Sequence, residues 1–191
     1  MPEGKRNIQA RTTMSQAEHP LVPRGTIMVS QQGDVALLDH PVAQELLQSP
    51  LPCRFAYVRT DGAPDVVPIG FYWTGTAFVL GTFPTSVKMH ALHDGAKVAL
   101  TIDTDTLPYK VLRVRGHVRT DVVDGIAPEY EAMTRRTLGD EAGAAWIEQM
   151  RPITTSMARI FVTPEWVCVQ DFQTRFPNEL ERAMEHAGSS T

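Results

Sequence analysis

The chain has the size and charge of one globular domain. Of its 191 residues, 42% are hydrophobic, which is enough to build one core and leaves residues for terminal extensions. The formal net charge of −4 gives no general attraction to nucleic acid or to an anionic membrane surface, so we expect neither as a partner. No apolar run approaches the ~20 residues of a membrane-spanning helix, and the N-terminus lacks the apolar segment of a secretory signal. We therefore expect a cytoplasmic protein.

The cysteines and histidines show no metal-binding pattern. The two cysteines, Cys53 and Cys168, lie among apolar or β-branched residues on predicted strands, which is typical of inert buried thiols rather than of a disulfide framework. The six histidines are scattered without the paired spacing of a zinc site. We predict no metal.

Composition predicts the bounds of the folded domain, the two terminal segments and a first helix. Residues 1–33 are rich in polar residues, proline and glycine and carry no sustained apolar period, so we expect a flexible arm. The folded domain is predicted over residues 34–172. It opens with a short helix over about 40–48, for which Asp39 is a suitable cap. Residues 173–191 form a polar C-terminal tail whose last residues we expect to be loose.

Three strands follow, over residues 53–60, 65–73 and 77–82, and we expect them to form a meander with turns at Asp-Gly and Thr-Gly dipeptides. The polar segment that begins at Phe83 then opens a short helix ending near Asp94, where Gly95 supplies the stop.

The second half of the chain alternates strands with helices. The remaining predicted elements are strands over 98–103 and 112–119, helices over 127–138 and 141–150, and two closing strands over 158–162 and 166–171, with Thr163 and Pro164 between them. Gly116 marks a bulge or a close backbone approach in the strand over 112–119. Six or seven antiparallel strands with a few short helices predict a mainly β fold, a small barrel rather than a doubly wound α/β sheet.

The most informative segment is GTFPTSVKMHAL, residues 81–92. It places Thr82, Thr85, Ser86 and Lys88 at the exit of a strand and the first turn of a helix, where hydroxyls, free backbone N–H groups and one ammonium can converge. Such a set of donors predicts a phosphate-binding site. The alternative is a capped helix start with a solvated lysine.

Two further features allow a functional and a structural interpretation. Pro68 and Gly70 interrupt the strand VVPIGFYW, so one edge of that strand must be unpaired or bulged. A planar heterocycle could bind that edge, or Pro68 could simply protect an edge strand. A second feature is a basic stripe on one strand face, composed of Arg113, Arg115, His117 and Arg119. It is typical of a solvated sheet surface, although part of it could border an anionic pocket at a subunit interface.

The order of these segments resembles one known superfamily. The runs RTDGAPDVVPIGFYW, TGTAFVLGTFPTSVKMHAL, GAKVALTID and PYKVLRVRGHV together resemble the pyridoxamine 5′-phosphate oxidase-like flavin-binding split barrels, and in particular their flavin- or deazaflavin-dependent oxidoreductase branch. The similarity covers about residues 36–171. It implies a split β-barrel of Greek-key type that forms a homodimer with cofactor sites at the subunit interface.

The resemblance also assigns roles to residues. It implies that Thr82, Ser86 and Lys88, with Thr85 beside them, hold the cofactor phosphate, and that the flavin ring lies along Val67, Pro68, Ile69 and Gly70. Two departures limit it. Val87 stands where the family has an arginine, and the tail lacks the substrate-binding pattern of pyridoxamine phosphate oxidase, so that exact activity is not expected. The PYKVLRVRG stretch is closer to relatives that use the deazaflavin coenzyme.

The function implied is that of an oxidoreductase which moves hydride equivalents between bound FMN, or alternatively the deazaflavin coenzyme F-420, and a small organic substrate. The sequence assigns no catalytic side chain. The alternative is a non-enzymatic module that stores or senses a flavin or haem.

Overall fold

The computed structural model describes residues 31–188, and its centre is one antiparallel sheet of seven strands. The strands are β1 (Cys53–Val58), β2 (Pro64–Ile69), β3 (Tyr72–Trp73), β4 (Phe78–Thr82), β5 (Lys97–Asp103), β6 (Val111–Asp124) and β7 (Ser156–Gln170). The α-helices are α1 (Pro41–Gln48), α2 (Pro128–Leu138), α3 (Asp140–Met150) and α4 (Asn178–Gly188). The order across the sheet is β2-β1-β5-β6-β7-β4-β3, and the mainly β prediction is confirmed.

The two ends of the sheet belong to one stretch of chain. β2 lies at one edge and β3 at the other, yet only Gly70 and Phe71 separate them. The sheet must therefore curl until its edges meet, which closes it into a split barrel. The single strand predicted over 65–73 is wrong, because β2 pairs with β1 whereas β3 pairs with β4. The break occurs where Phe71 turns completely into the core and Gly70 packs against Met133.

Strand alternation fills the barrel interior. Phe55 and Tyr57 of β1 and Leu100 of β5 are buried, whereas the residues next to them in sequence are half-buried or exposed. Helix α1 adds Leu46 and Leu47 to the same core. Burial of each large side chain stabilises the fold by about 1.5–3 kcal/mol.

The cap of helix α1 lies one residue later than predicted. A 3₁₀ turn over Val35–Asp39, capped by Asp34, takes Asp39 into helical geometry. His40 becomes the cap of α1, and its Nδ1 accepts the Val42 N–H at 3.3 Å. The prediction of Asp39 as the cap is therefore wrong.

The longest strands, β6 and β7, pair along most of their length. The two closing strands predicted over 158–162 and 166–171 are in fact this one strand, β7. Thr163 and Pro164 resemble a turn in the sequence, but Pro164 lies opposite Gly116 at a β-bulge, where a missing N–H is tolerated. A Cβ on Gly116 would overlap the Thr163 carbonyl, so the predicted bulge and close approach are both observed.

Helix α2 fixes the break between β2 and β3. Arg136 of α2 donates to the Phe71 carbonyl at 2.6 Å and to the Leu47 carbonyl at 3.1 Å. Its guanidinium also lies 4.4 Å from the centre of the Phe71 ring. Burial lowers the Arg136 pKa. This arginine therefore ties α1, α2 and the strand break together.

The C-terminal segment is more ordered than its polar composition indicates. Asp171 accepts backbone N–H bonds from Gln173, Thr174 and Arg175, which turns the chain back over β7. Although burial opposes ionisation, these bonds and that of the Thr174 hydroxyl lower the Asp171 pKa. Helix α4, which the sequence analysis did not predict, follows. The residues expected to be loose, and most of the N-terminal arm, lie outside the described residues.

Within residues 31–188, no helix has the length and hydropathy needed to cross a bilayer. The same residues bring no three histidine, cysteine or acidic side chains together as a metal site would require. Cys53 and Cys168 are buried free thiols. Burial raises the pKa of Cys53 to about 12, and its thiol donates to the Ile69 carbonyl at 3.3 Å, so it is unreactive at neutral pH.

Candidate functional site

Three polar side chains converge where β4 ends. Thr82 is the last residue of β4, Ser86 lies in the following turn, and Lys88 lies in a 3₁₀ turn over Val87–His90. Lys88 Nζ donates to Thr82 Oγ1 at 3.1 Å and to Ser86 Oγ at 2.7 Å. We call these three residues the lysine cradle. Their predicted convergence is observed, whereas their role as phosphate ligands stays a prediction.

The lysine cradle has hydrogen-bond donors to spare. The ammonium carries three N–H groups, of which two are used by the hydroxyls, and each hydroxyl keeps its own O–H to donate elsewhere. Burial lowers the Lys88 pKa, and the charge of Asp65 opposes part of that effect. Within the described residues, Lys88 forms no ion pair with a carboxylate. Its charge is therefore held by hydroxyls alone, at a desolvation cost that an anionic ligand would offset.

The backbone of the lysine cradle differs from the prediction. The helix expected to end near Asp94 is a 3₁₀ turn of four residues. It stops because Asp94 Oδ1 accepts the Thr120 N–H at 2.9 Å and the Gly95 N–H donates to the Val118 carbonyl at 2.7 Å, which draws the chain onto β6. Ser86 stands in the cap position without making a cap bond, since its hydroxyl binds Lys88 instead.

A hydrogen-bonded tyrosine and aspartate, which the sequence analysis did not predict, lie near the lysine cradle. Asp65 accepts the Tyr57 hydroxyl at 2.8 Å, and the two residues are register partners on β2 and β1. Burial raises the Tyr57 pKa, and the bond to Asp65 raises it further. The signal was available, because Asp65 alternates with Val67 and Ile69 and so shares their inward face. This carboxylate reduces the net positive charge felt by an anion in the cradle.

Strand β2 has one edge that is unpaired within the protomer, as its proline indicates. It pairs with β1 alone and ends the strand order of the described sheet. Val67 and Ile69 are half-buried against the core, whereas Pro68 is exposed on the other face. Gly70 lies under Met133 of α2, where a Cβ would overlap the sulfur. Alternate residues of β2 present their N–H and C=O groups to the free edge.

Thr85 is not part of the observed hydrogen-bonded cluster. Its side chain is exposed on the turn before Ser86, and neighbouring Val87 is exposed as well. His90 and His93 are also exposed. A role for Thr85 in phosphate binding stays a prediction.

The basic stripe divides into two parts with different surroundings. Arg119 binds Asp121 at 3.4 Å and lies 4.0 Å from the centre of the Phe161 ring. Arg115 and Arg113 instead lie 4.2 Å and 5.7 Å from the centre of the Trp166 ring. The sequence analysis did not predict the stacking of these arginines on Trp166, because Trp166 lies more than forty positions away, on another strand.

Comparison with known proteins gives a family match over most of the described residues. The sequence model of the pyridoxamine 5′-phosphate oxidase family matches residues 40–167. A search of curated proteins gave no match. Among solved structures, an F420 reductase is 26% identical with a TM-score of 0.50, and the match covers 65% of this chain and 94% of that one.

Two other solved structures show the same fold at lower identity. A conserved hypothetical protein, Rv2991 from Mycobacterium tuberculosis, is 16% identical with a TM-score of 0.54, and the match covers 79% of this chain and 90% of that one. HutZ, the heme storage protein from Vibrio cholerae, is 14% identical with a TM-score of 0.50, and the match covers 68% of this chain and 93% of that one.

Proposed function

Since this chain belongs to the pyridoxamine 5′-phosphate oxidase family, we propose that it is an oxidoreductase that binds a phosphate-bearing flavin-type cofactor. FMN is the first candidate and the deazaflavin coenzyme is the second. The substrate is a small organic molecule. The observation that carries the proposal is the Lys88 ammonium held between the hydroxyls of Ser86 and Thr82, with no carboxylate partner among residues 31–188.

The lysine cradle fits a phosphate group. A dianion needs several fixed donors and positive charge, and the ammonium with its two hydroxyls offers both. The first backbone bond of the 3₁₀ turn runs from the Met89 N–H to the Ser86 carbonyl. The N–H groups of Val87 and Lys88 therefore precede the hydrogen-bond ladder of the turn and are donors in the same place.

The free edge of β2 fits the ring of the cofactor. Its backbone offers alternating N–H and C=O groups, which match the donors and acceptors along the edge of a planar heterocycle. Pro68 keeps another strand from pairing fully with that edge. We assign ring contact to Val67, Pro68, Ile69 and Gly70, and phosphate contact to Thr82, Ser86 and Lys88, with Thr85 at its margin.

When bound, such a cofactor supplies the hydride chemistry. The protein's part is to hold the phosphate, orient the ring against β2 and keep water from the reacting face. None of its described side chains is assigned as a proton donor. The Tyr57 hydroxyl is committed to Asp65, and burial raises its pKa, so it is a poor acid near neutral pH.

The choice between the two cofactors depends on charge. Val87, which is exposed, takes the place of a basic residue beside Lys88, and Asp65 adds negative charge nearby. The missing second cation weakens binding of a dianion more than binding of a phosphate of low charge, so it excludes neither cofactor. The likeness to an F420 reductase supports the deazaflavin coenzyme as the second candidate.

We propose that the chain acts as a homodimer in the cytoplasm. Val66 and Val58 are 59% and 57% exposed and lie with Ala56 and Ala99 on the outer face of neighbouring strands. A contiguous apolar face of this kind favours a second copy as its occupant. Replacement by Val66→Glu should give monomers in sedimentation experiments, whereas Leu107→Glu, in an exposed loop, should not.

The proposed location in the cytoplasm agrees with the two free thiols, which are typical of a reducing compartment.

Equilibrium titration of the apo protein tests the cofactor assignment. FMN and the deazaflavin coenzyme are added separately and cofactor fluorescence is followed. We expect saturation at one cofactor per protomer, and about tenfold or greater weakening in Lys88→Met, since a charge-assisted hydrogen bond is lost. Lys97→Met removes an exposed lysine of β5 and should bind like the wild type. If neither cofactor binds, the proposal is wrong.

A second measurement separates an enzyme from a binding module. The bound cofactor is reduced anaerobically and then mixed with a panel of small organic acceptors. An enzyme should reoxidise faster with one acceptor than the free cofactor does. Uniform rates with every acceptor would favour a module that stores or senses a flavin or haem.

A further inference from the structure

A second polar site lies on the outer face of the long β6-β7 pair. There Gln32, three side chains of β7, two of β6 and the start of α4 enclose a cleft of about 500 Å³. Its lining includes Arg113, Arg115, Trp166 and Gln170. We call this the arginine cleft. It is separate from the lysine cradle. Thr82 of the cradle lies level with Val122 of β6, because both pair with Ala158 of β7. Arg113 lies nine residues from Val122 along β6. At ~3.3 Å per residue the separation along the strand is about 30 Å.

In the described part of the chain, neither arginine of the cleft has a carboxylate partner. Within the described residues, the ion pairs of this face belong to Arg119, Arg159, Arg54 and His117. Arg113 instead donates to the Cys168 sulfur at 3.4 Å, and Arg115 stacks on the Trp166 ring at 4.2 Å from its centre. Stacking orients a guanidinium and leaves the N–H groups at its edge available, which is the arrangement that binds a carboxylate through two parallel bonds.

A buried amide points to a ligand independently of the arginines. Gln170 is 7% exposed and lines the cleft, yet its side chain forms no hydrogen bond with any described residue. Its amide atoms are not among the fully enclosed unpartnered side-chain atoms of the described residues, so part of the amide is accessible, and the residue lines the cleft. A buried amide without a partner is costly, by about 1–3 kcal/mol, unless something in the cleft satisfies it.

The rest of the cleft lining adds apolar surface and limits the charge. Pro177 and the Trp166 ring are flat apolar surfaces, and Glu179 contributes one negative charge at the exposed rim. Two guanidinium groups against one carboxylate leave a net charge of about +1. The best match is a singly charged anion with a planar body.

We propose that the arginine cleft binds a small planar organic carboxylate, with Arg115 and Arg113 on the carboxylate and Gln170 as an additional hydrogen-bond partner. This site does not depend on the proposed cofactor function. Its ligand is held on the outer face of the barrel, at the margin of the apolar face of β1, β2 and β5.

Isothermal titration of the full-length protein with sodium benzoate, at fixed ionic strength, tests the proposal. We expect saturable binding to benzoate and none to benzamide, which has the same shape without the charge. Arg115→Gln should weaken benzoate binding about tenfold or more, and Gln170→Leu should weaken it by a smaller factor. Arg119→Gln is the matched control, because it removes the same charge from the same strand face outside the cleft.

The two proposals fail separately. Lys88→Met should leave benzoate affinity unchanged, and Arg115→Gln should leave cofactor affinity unchanged. Equal binding of benzoate and benzamide, equal losses in Arg115→Gln and Arg119→Gln, or no saturable binding of benzoate would overturn the carboxylate site.

Discussion

Two polar clusters lie near the paired ends of β4 and β7, and among the described residues only one of them is neutralised. In the first, Arg159 makes two bonds of 2.8 Å to Asp121 and one of 3.0 Å to Glu129. In the second, the lysine cradle, the described partners of Lys88 are hydroxyls alone. Gly81 of β4 pairs with Arg159 of β7, and the next pair is Thr82 with Ala158, so the clusters lie at the same end of the two strands but on opposite faces of the sheet.

The difference separates a structural cluster from a candidate binding site. The hydrogen bonds that Arg159 donates to Asp121 lower the Asp121 pKa and raise the Arg159 pKa, so each residue stabilises the charge of the other. Burial instead lowers the Lys88 pKa, which means that the fold disfavours this charge when the protein is alone. A cation that the fold does not compensate is one that an anionic ligand can compensate.

The largest expected effect is a loss of binding without a loss of stability in Lys88→Met. Cofactor affinity should fall by about ten- to a hundredfold, the size of one charge-assisted hydrogen bond. The free energy of unfolding should stay the same or rise, since a partly buried charge is removed. Urea unfolding of the apo protein beside the titration checks both. A clear loss of stability with unchanged affinity would assign Lys88 a structural role.

The opposite result is expected for Arg159→Met. The free energy of unfolding should fall by about 2 kcal/mol, because two neighbouring carboxylates lose their shared partner and one Glu129 oxygen is already buried without one. Arg119→Met is the control, with an expected loss below about 0.5 kcal/mol for an exposed pair. Urea midpoints measure both. Equal effects of the two substitutions would contradict the comparison.

The two clusters should also differ in their response to acid. The Asp121 pKa is lowered from its ordinary value of 3.8, so its stabilising effect is complete above that value and is lost as the pH falls through the lower folded-state pKa. The difference in unfolding free energy between the wild type and Asp121→Asn should therefore shrink below about pH 4. A difference that stays constant down to about pH 2 would show that ionisation of Asp121 does not matter.

The smallest expected effect concerns the carboxylate near the lysine cradle. Asp65→Asn removes a negative charge and keeps an oxygen to accept the Tyr57 hydroxyl. Cofactor affinity should rise by about two- to fivefold, as expected for one screened charge at moderate distance. The same titration measures it, with Asp61→Asn in the exposed β1-β2 turn as the control. A weaker affinity would place Asp65 among the ligands instead.

The sequence predicted most strands because their alternation and their turn dipeptides are local signals. The boundaries of β4 and β5 agree with the structure to within a residue. The misses came from contacts that are distant in sequence. In the sequence Pro164 is typical of a turn, whereas in the structure it lies within a strand, opposite Gly116 at a bulge. The break at Gly70 depends on Met133 of α2. Helix α4 was missed because its segment is polar.

The candidate site was likewise predictable where its residues are close in sequence. Thr82, Ser86 and Lys88 lie within seven positions of one another, so their convergence could be predicted from spacing. The arginine cleft could not be predicted in the same way. Its arginines alternate visibly along β6, but the stacking on Trp166 and the buried Gln170 depend on the register of β7, which the sequence analysis divided into two strands.

Phosphorus NMR of bound FMN tests the central claim most directly, because it observes the group that the lysine cradle is proposed to hold. Free phosphate monoesters lose their second proton near pH 6. If Lys88 and its hydroxyls bind the phosphate as a dianion, the bound resonance should stay at its dianionic position well below that pH in the wild type and titrate again in Lys88→Met. A bound resonance that titrates near pH 6 in both proteins would contradict the account.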